Sequence, residues 1–134
     1  QEVYDNPVNL FVAKFLGTPP INVFEGSVKN GRLIIGGDAV LDTPQVPDCR
    51  VTAAVRPEGF LLQEDGPLQC NLSRLEVMGR DVSVVSTHPC CENAPIRSII
   101  SAENQVDLSS PTVRFALKPA KTFLFHQETG ERIH

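Results

Sequence analysis

The chain has 134 residues, of which 41% are hydrophobic, and its 12 lysines and arginines against 16 aspartates and glutamates give a formal net charge of −4. This length suits one domain with a buried core. The acidic balance excludes a generic binder of nucleic-acid phosphates, which would be basic. We expect neither a membrane-spanning helix nor a signal peptide, because no apolar run approaches the required ~20 residues and no charged-then-apolar leader opens the chain.

The first residues predict an amphipathic helix. Asn6 is a good N-cap, and Pro7 suits the first helical position, where its missing N–H would have no partner anyway. Gly17 favours a left-handed stop, and Pro19-Pro20 prevent continuation. The apolar face of this helix consists of Val8, Phe11, Val12, Phe15 and Leu16. A helix of about three turns is marginal alone, so we expect this face to be docked on another part of the protein.

The next part of the chain predicts short β-strands. Asn30-Gly31, between Val23–Val28 and Arg32–Ile35, is a strong hairpin signal, because a type I′ turn needs positive φ at both central positions. Gly36-Gly37-Asp38 predicts a second turn. From Arg50 to Arg56 apolar and polar residues alternate, which predicts a half-buried strand. One face of that strand carries Val51, Ala53 and Val55, and the other carries Thr52, Ala54 and Arg56.

A longer strand, Leu68–Val77, changes its apolar phase along its length. Apolar residues occupy even positions in its first half and odd positions, Leu75 and Val77, in its second half. A β-bulge near Ser73 would keep both sets on the inward face and add the bend that a small barrel needs.

Further strands are predicted at Gly59–Gln63, Val82–Val85, Ile96–Ser101, Thr112–Lys118 and Phe123–Phe125. In total we expect about eight short strands at a spacing of 8–12 residues. Closing such strands on themselves removes exposed edges, so the sequence predicts a small closed or nearly closed β-barrel.

The sequence lacks the motifs of common catalytic sites. It has no G-x-x-x-x-G-K-[ST] phosphate loop and no G-x-S-x-G nucleophile elbow. Zinc is chemically compatible with Cys70, His88, Cys90 and Cys91, because thiolates and imidazoles suit it. Adjacent cysteines rarely chelate one tetrahedral centre, and no C-x-x-C is present. We therefore expect reduced cysteines and no catalytic, cofactor or metal site in this chain.

Four blocks of the sequence resemble a known family. The first is residues 2–24, EVYDNPVNLFVAKFLGTPPINVF, and the others are Val55-Arg56-Pro57-Glu58, Leu75-Glu76-Val77-Met78-Gly79, and Phe115 to Ile133. They are similar to the ATPase subunits of sugar-importing ABC transporters of the maltose, glycerol-phosphate and multiple-sugar class. The first block resembles the junction in those proteins between the nucleotide-binding domain and a β-rich, C-terminal regulatory domain.

This resemblance implies a mainly β fold, an OB-like (TOBE) regulatory barrel at residues 21–134, preceded at 1–20 by one short linker helix from a missing nucleotide-binding domain. ATP and Mg²⁺ would belong to that missing domain, so no cofactor is expected here. The implied partners are the chain's own nucleotide-binding domain, a second copy in a homodimer, the transporter's membrane subunits and a cytosolic regulator, but no nucleic acid. The implied location is cytoplasmic, at the inner face of the cell membrane.

Four residues are predicted to take part in an interface or in regulation. The resemblance implies this role for Arg56 and Glu58 at the end of a core strand, where one surface ion pair is the structural alternative. Gly59 follows, where the family more often has a larger polar residue. Glu76 lies in opposite phase to its apolar neighbours and would face solvent, and Gly79 would supply a turn conformation disfavoured for residues with a Cβ. The resemblance implies that ligands or partner domains approach this corner.

Two functions from different classes remain open at this stage. The chain is expected to be a regulatory and dimerisation domain of an importer ATPase, or else a small OB-type module that binds a sugar, a sugar phosphate or an oxyanion. An enzyme is disfavoured, because no nucleophile–base or metal constellation is present.

Overall fold

The computed structural model describes residues 21–91, 95–101 and 109–133. The predicted helix with its face from Val8 to Leu16, and the whole expected linker at 1–20, lie outside these residues. The described part forms eleven strands: β1 Asn22–Lys29, β2 Arg32–Ile35, β3 Asp38–Asp42, β4 Cys49–Val55, β5 Phe60–Leu62, β6 Leu68–Met78, β7 Asp81–Thr87, β8 Ile96–Ser101, β9 Thr112–Leu117, β10 Thr122–His126 and β11 Arg132–Ile133. Among these residues, no helix has the length and hydropathy needed to cross a membrane.

Two antiparallel sheets contain all of these strands. The first has six strands in the order β11-β10-β4-β1-β2-β3, and the second has five in the order β5-β9-β6-β7-β8. In the second sheet the last strand, β8, returns to lie against β5, so the sheet is nearly closed into a barrel. The mainly β, OB-like barrel predicted from the sequence is therefore confirmed.

The strands that the sequence did not predict are β3 and β11. The turn predicted at Gly36-Gly37-Asp38 is real for its two glycines, but Asp38 already begins β3 and pairs with Ile35. The two residues of β11 pair with Leu124 and Phe125 in β10. Both strands are short and lie at the two edges of the six-stranded sheet, where short strands are common. So few residues do not form a recognisable alternation of polar and apolar positions.

Two 3₁₀ turns, Pro57–Gly59 and Pro119–Lys121, carry the chain between the sheets. The first leads from β4 into β5, and the second leads from β9 into β10. They are bonded to each other: the Arg56 N–H donates to the Lys121 carbonyl at 3.0 Å, and the Lys118 N–H donates to the Gly59 carbonyl at 2.8 Å. The paired turns form one corner, where the ladders β4–β10 and β5–β9 meet.

The bulge predicted near Ser73 is confirmed, because the β6–β7 register shifts between Leu72 and Arg74. The prediction that Val77 faces the interior is wrong, since 79% of Val77 is exposed. Leu75 is still partly buried against the main core. Two residues further along β6, the same phase is open to solvent at Val77.

The strand predicted at Arg50–Arg56 exists, but the prediction that it is only half buried is wrong. The alternation of the two faces is right, but every residue from Val51 to Arg56 is buried. Ala53 and Val55 belong to the main core between the two sheets, whereas Ala54 belongs to a second cluster. β4 is thus covered on both faces, as befits the third of six strands.

Candidate functional site

Arg56 ends β4 on the outer face of the six-stranded sheet, which is the face turned away from the barrel. Only 1% of this residue is exposed. Its guanidinium carbon lies 5.7 Å from the centroid of the Phe123 ring, and that of Arg132 lies 4.9 Å from the same ring. Two cations therefore contact one aromatic side chain, an arrangement favoured by the ring quadrupole. The expectation of a surface position for Arg56 is corrected: it is a buried residue.

Glu58 lies in the first 3₁₀ turn and is partly exposed, next to the buried Gly59. A Cβ on Gly59 would lie 2.9 Å from the Cβ of Lys121 and 3.0 Å from the Cγ1 of Val55. The packed corner accordingly leaves no room for the larger polar residue that the family more often has there. The side-chain contact that such a residue would make has no equivalent in this chain.

Glu76 lies on the arm of the β6–β7 hairpin and is held between two cations. It pairs with Arg97, which reaches across from β8, and with the Nη2 atom of Arg74 at 3.5 Å. Its side chain is 39% exposed, so its predicted exposure is confirmed only in part. The hydrogen bond from Arg97 lowers the pKa of Glu76 below its ordinary value, and burial opposes this shift.

We expect the pKa of Glu76 to rise when Arg97 is replaced by glutamine. A lowered pKa in the folded state means that the pair adds stability above the ordinary value of 4.5 and that this stability is lost as the pH falls through the folded-state pKa. Side-chain carboxyl shifts followed by NMR would measure it. Arg74→Gln is the matched control and should raise the pKa less, since its contact is longer. Equal pKa values in wild type and Arg97→Gln would contradict the assignment.

Gly79 occupies the turn of the same hairpin, as predicted. Its φ is 72°, in the left-handed region, and a Cβ there would meet nothing within 4 Å. The turn therefore needs glycine for its backbone conformation and not for space. Gly79 and Glu76 lie on one hairpin, and Arg56 and Glu58 lie at the corner. None of the contacts described for these four residues joins the two pairs directly.

Asn22 connects the corner at Arg56 with the hairpin at Glu76. It is not among the residues predicted from the sequence. It is 1% exposed. Its Nδ2 donates to the Val55 carbonyl at 3.3 Å and to the Arg97 carbonyl at 3.0 Å, while its Oδ1 accepts from the Arg97 N–H at 3.1 Å. Its amide thus binds the free edge of β8 as another peptide group would. These three hydrogen bonds form a seam between β1, β4 and β8. The seam links Glu76, through Arg97 and Asn22, to the end of β4 at Arg56.

The loop that follows β7 packs against β1. Cys91 forms a bridge with Phe24, and the Glu25 N–H donates to the Cys90 carbonyl at 2.8 Å. The His88 ring packs edge-on against Phe24 at 5.9 Å, and its Nδ1 accepts from the Cys90 N–H at 3.0 Å. Burial lowers the pKa of His88, against a weaker opposing effect of the Asp38 charge. The Cys90-Cys91 loop therefore has a structural role in covering β1 where β2 diverges.

The cysteines are free thiols, and Cys70 is buried in the main core. Burial raises the pKa of Cys70 to about 12, despite the Ser86 hydroxyl, which acts in the other direction. A thiol with so high a pKa is a poor nucleophile and a poor metal ligand. Within residues 21–91, 95–101 and 109–133, no three metal-ligating side chains are grouped to hold an ion. The sequence also contains no phosphate loop.

One cleft of about 440 Å³ lies at the end of β10 and is lined by Cys49, Arg50, His126, Gln127, Glu128, Thr129 and Glu131. His126 is the last residue of β10. Its backbone holds the following turn, because its N–H donates to the Glu131 carbonyl and its carbonyl accepts from the Gly130 N–H, each at 2.8 Å. The side chain itself is exposed and faces open water.

Comparison with known proteins gives clear relatives, although no family model matches the chain. The sn-glycerol-3-phosphate import ATP-binding protein UgpC of Ruegeria sp. (strain TM1040) is 27% identical over 133 residues, which is 98% of this chain and 37% of that protein. UgpC of Roseobacter denitrificans is 32% identical over 142 residues, and UgpC of Yersinia pestis is 32% identical over 141 residues. Each of these two alignments covers 98% of this chain and 38% of the relative. Over nearly its whole length, this chain is therefore similar to a part of sn-glycerol-3-phosphate import ATP-binding proteins, and it spans less than half of their length.

Proposed function

We propose that this chain is the C-terminal regulatory and dimerisation domain of an ATP-binding protein that energises uptake of a sugar or a related solute, such as a glycerol phosphate. The observation that carries the proposal is the pattern of similarity: 98% of the chain aligns with only 38% of its relatives. The aligned chain contains no phosphate loop, so the part that binds nucleotide in such proteins lies elsewhere. The part of the chain that the structure describes is a β-barrel, which suits a regulatory role.

The proposed mechanism is steric and allosteric. Two copies meet and hold two nucleotide-binding domains together at the inner face of the membrane, where they contact the transporter's membrane subunits. A cytosolic protein or metabolite that binds the open and closed dimers with unequal affinity then shifts their populations, because only differential affinity can move such an equilibrium. The corner at Arg56 and Glu58 and the hairpin at Glu76 and Gly79 are the surfaces proposed for these contacts.

We expect the purified chain to hydrolyse no ATP above the rate of a mock preparation. The reason is that it lacks the lysine and backbone cradle that bind the β- and γ-phosphates. Phosphate release with ATP and Mg²⁺ measures this. A protein expressed with the coding sequence upstream of Gln1 should be active, and replacement of its phosphate-loop lysine should abolish the activity. Turnover by the 134-residue chain alone, or no phosphate loop upstream, would contradict the proposal.

A second candidate is a small-ligand-binding module, and the cleft beside His126 favours it. Arg50, His126 and Thr129 supply donors there for a sugar phosphate or an oxyanion, although Glu128 and Glu131 bring opposing charge. A ligand at 100 times its Kd would stabilise the chain by about 2.7 kcal/mol. A thermal-shift series with glycerol 3-phosphate, phosphate and maltose tests this. A shift that Arg50→Ala abolishes would favour the ligand-binding module over the regulatory domain.

A further inference from the structure

The loop after β7, at residues 88–91, lies beside β1 and is here named the covering loop. Along one edge β1 pairs with β4, and along the other it pairs with β2 only through its last three residues. Nearer the start of β1 the covering loop takes the place of β2. Cys91 forms a bridge with Phe24, and the Glu25 N–H donates to the Cys90 carbonyl at 2.8 Å. The covering loop therefore protects an edge of β1 that β2 does not reach.

A histidine side chain holds the turn of the covering loop. The Nδ1 atom of His88 accepts from the Cys90 N–H at 3.0 Å, and the His88 carbonyl accepts from the Cys91 N–H at 3.1 Å. A backbone N–H can only donate, so Nδ1 carries no proton and the ring is neutral, with its proton on Nε2. The turn therefore depends on one protonation state of this imidazole.

The His88 ring is packed against two other elements. It meets Phe24 of β1 edge-on, with the ring centroids 5.9 Å apart. Gly36, in the turn between β2 and β3, lies so close that a Cβ there would be 3.1 Å from the Cε1 atom and 3.4 Å from the Nε2 atom of the ring. These contacts remove part of the ring from water, and this burial lowers the pKa of His88.

The charged and titratable groups around the ring come from three elements. Asp38, the first residue of β3, favours the charged imidazole and so opposes burial. The thiol of Cys90, on the covering loop itself, lies against the same glycine as the ring. Glu25 of β1 meets the loop through its backbone N–H, and its side chain is exposed. Because burial outweighs the effect of Asp38, the closed loop favours the neutral ring.

We propose that His88 is a pH-sensitive latch: a proton taken up from water at Nδ1 breaks the hydrogen bond with the Cys90 N–H, and the covering loop leaves β1. Imidazolium carries an N–H on both nitrogens, so Nδ1 would then point a hydrogen at the Cys90 N–H. The charged ring is also better solvated by water than by Phe24. An open loop leaves the Glu25 N–H and this edge of β1 free to pair with another extended segment.

The direction of the pH dependence follows from the lowered pKa. The pKa of His88 in the closed barrel lies below its ordinary value of 6.5. The closed loop therefore has its full stability above pH 6.5 and loses stability as the pH falls toward the folded-state pKa. At pH 5.5 the population of the open loop should exceed that at neutral pH by up to about tenfold. The latch concerns the barrel alone, so its failure would leave the ATPase and upstream-sequence tests unaffected.

Hydrogen exchange of the Glu25 amide in the 134-residue chain tests the latch. NMR would give its protection factor at pH 7.5 and pH 5.5, each corrected for the exchange rate of an unprotected amide at that pH. We expect the protection of Glu25 to fall severalfold, and up to about tenfold, at the lower pH. Amides of the β4–β10 ladder report global unfolding and should keep their protection. His88→Asn keeps an acceptor for the N–H two residues on but does not titrate, so its Glu25 protection should be equal at both pH values.

Two further variants identify the group that titrates. His126→Asn removes an exposed histidine of β10 and should keep the pH dependence of the wild type. Asp38→Asn removes the charge that favours imidazolium, so the loop should open at a lower pH. Glu25 protection that is independent of pH in the wild type, or that falls equally in His88→Asn, would overturn the proposal. An opening pH in Asp38→Asn at or above that of the wild type would also contradict it.

Discussion

Replacing Asn22 with alanine is expected to lower the free energy of unfolding by about 3 kcal/mol. The side-chain amide binds the N–H and the carbonyl of Arg97 and a second carbonyl, that of Val55, at distances of 3.0–3.3 Å. Alanine removes all three hydrogen bonds. The N–H and the carbonyl of Arg97 then lose the partners that the Asn22 amide gave them. Each buried group that loses its partner costs about 1–3 kcal/mol. Because the chain has no tryptophan, urea unfolding is best followed by far-ultraviolet circular dichroism.

Two further variants show whether hydrogen bonding or packing is responsible. Asn71→Ala removes the same side chain from an exposed position on β6 and should change stability by less than about 0.5 kcal/mol. Asn22→Asp keeps the size but places a carboxylate against two carbonyl oxygens, so near neutral pH it should destabilise at least as much as alanine. If Asn22→Ala were no more costly than Asn71→Ala, the seam would not be held by this amide.

The sequence could indicate Asn22 only through its phase. It shares even-numbered positions of β1 with Phe24 and Val28, both fully buried. An amide in phase with buried apolar residues must have partners, because an unpaired amide in a core is costly. Its main partner, however, is an edge strand 75 residues away. Periodicity gives the direction of a side chain but not what the fold places in front of it.

The same limit explains the errors at Arg56 and Val77. Alternation predicted the faces of β4 correctly, yet Thr52 and Ala54 are as compatible with solvent as with a second layer. The ring that accepts the Arg56 guanidinium comes from Phe123, on a strand that reaches β4 only through the fold. Val77 follows the inward phase of β6 from Leu75, yet the fold leaves it exposed. Local signals did succeed where the cause was local, as at the bulge beside Ser73 and the turn at Gly79.

The second large effect is expected from Gly66→Ala, at the turn between β5 and β6. A Cβ at this position would lie 2.5, 2.6 and 2.8 Å from the carbonyl carbon, carbonyl oxygen and nitrogen of Phe115. These are backbone atoms of β9, and that strand is held on both sides, by Leu62 in β5 and Leu68 in β6. The neighbour therefore cannot retreat. We expect alanine to destabilise the chain by about 3 kcal/mol, the upper end of the range for overpacking.

Gly37→Ala separates crowding from backbone conformation. Gly37 has a φ of 87°, but a Cβ there would meet nothing within 4 Å, so its substitution should cost only the left-handed penalty of about 1–2 kcal/mol. Gly66 has no such φ, so crowding is its whole cost. Crowding should also displace the Gly66 carbonyl, which accepts from the Nη1 of Arg114 at 3.0 Å. Loss of protection from hydrogen exchange at β9 amides in Gly66→Ala, but not in Gly37→Ala, would locate the damage. Equal stabilities of the two variants would mean that β5 and β6 can separate from β9, and that the barrel is less rigid than a steric regulatory domain requires.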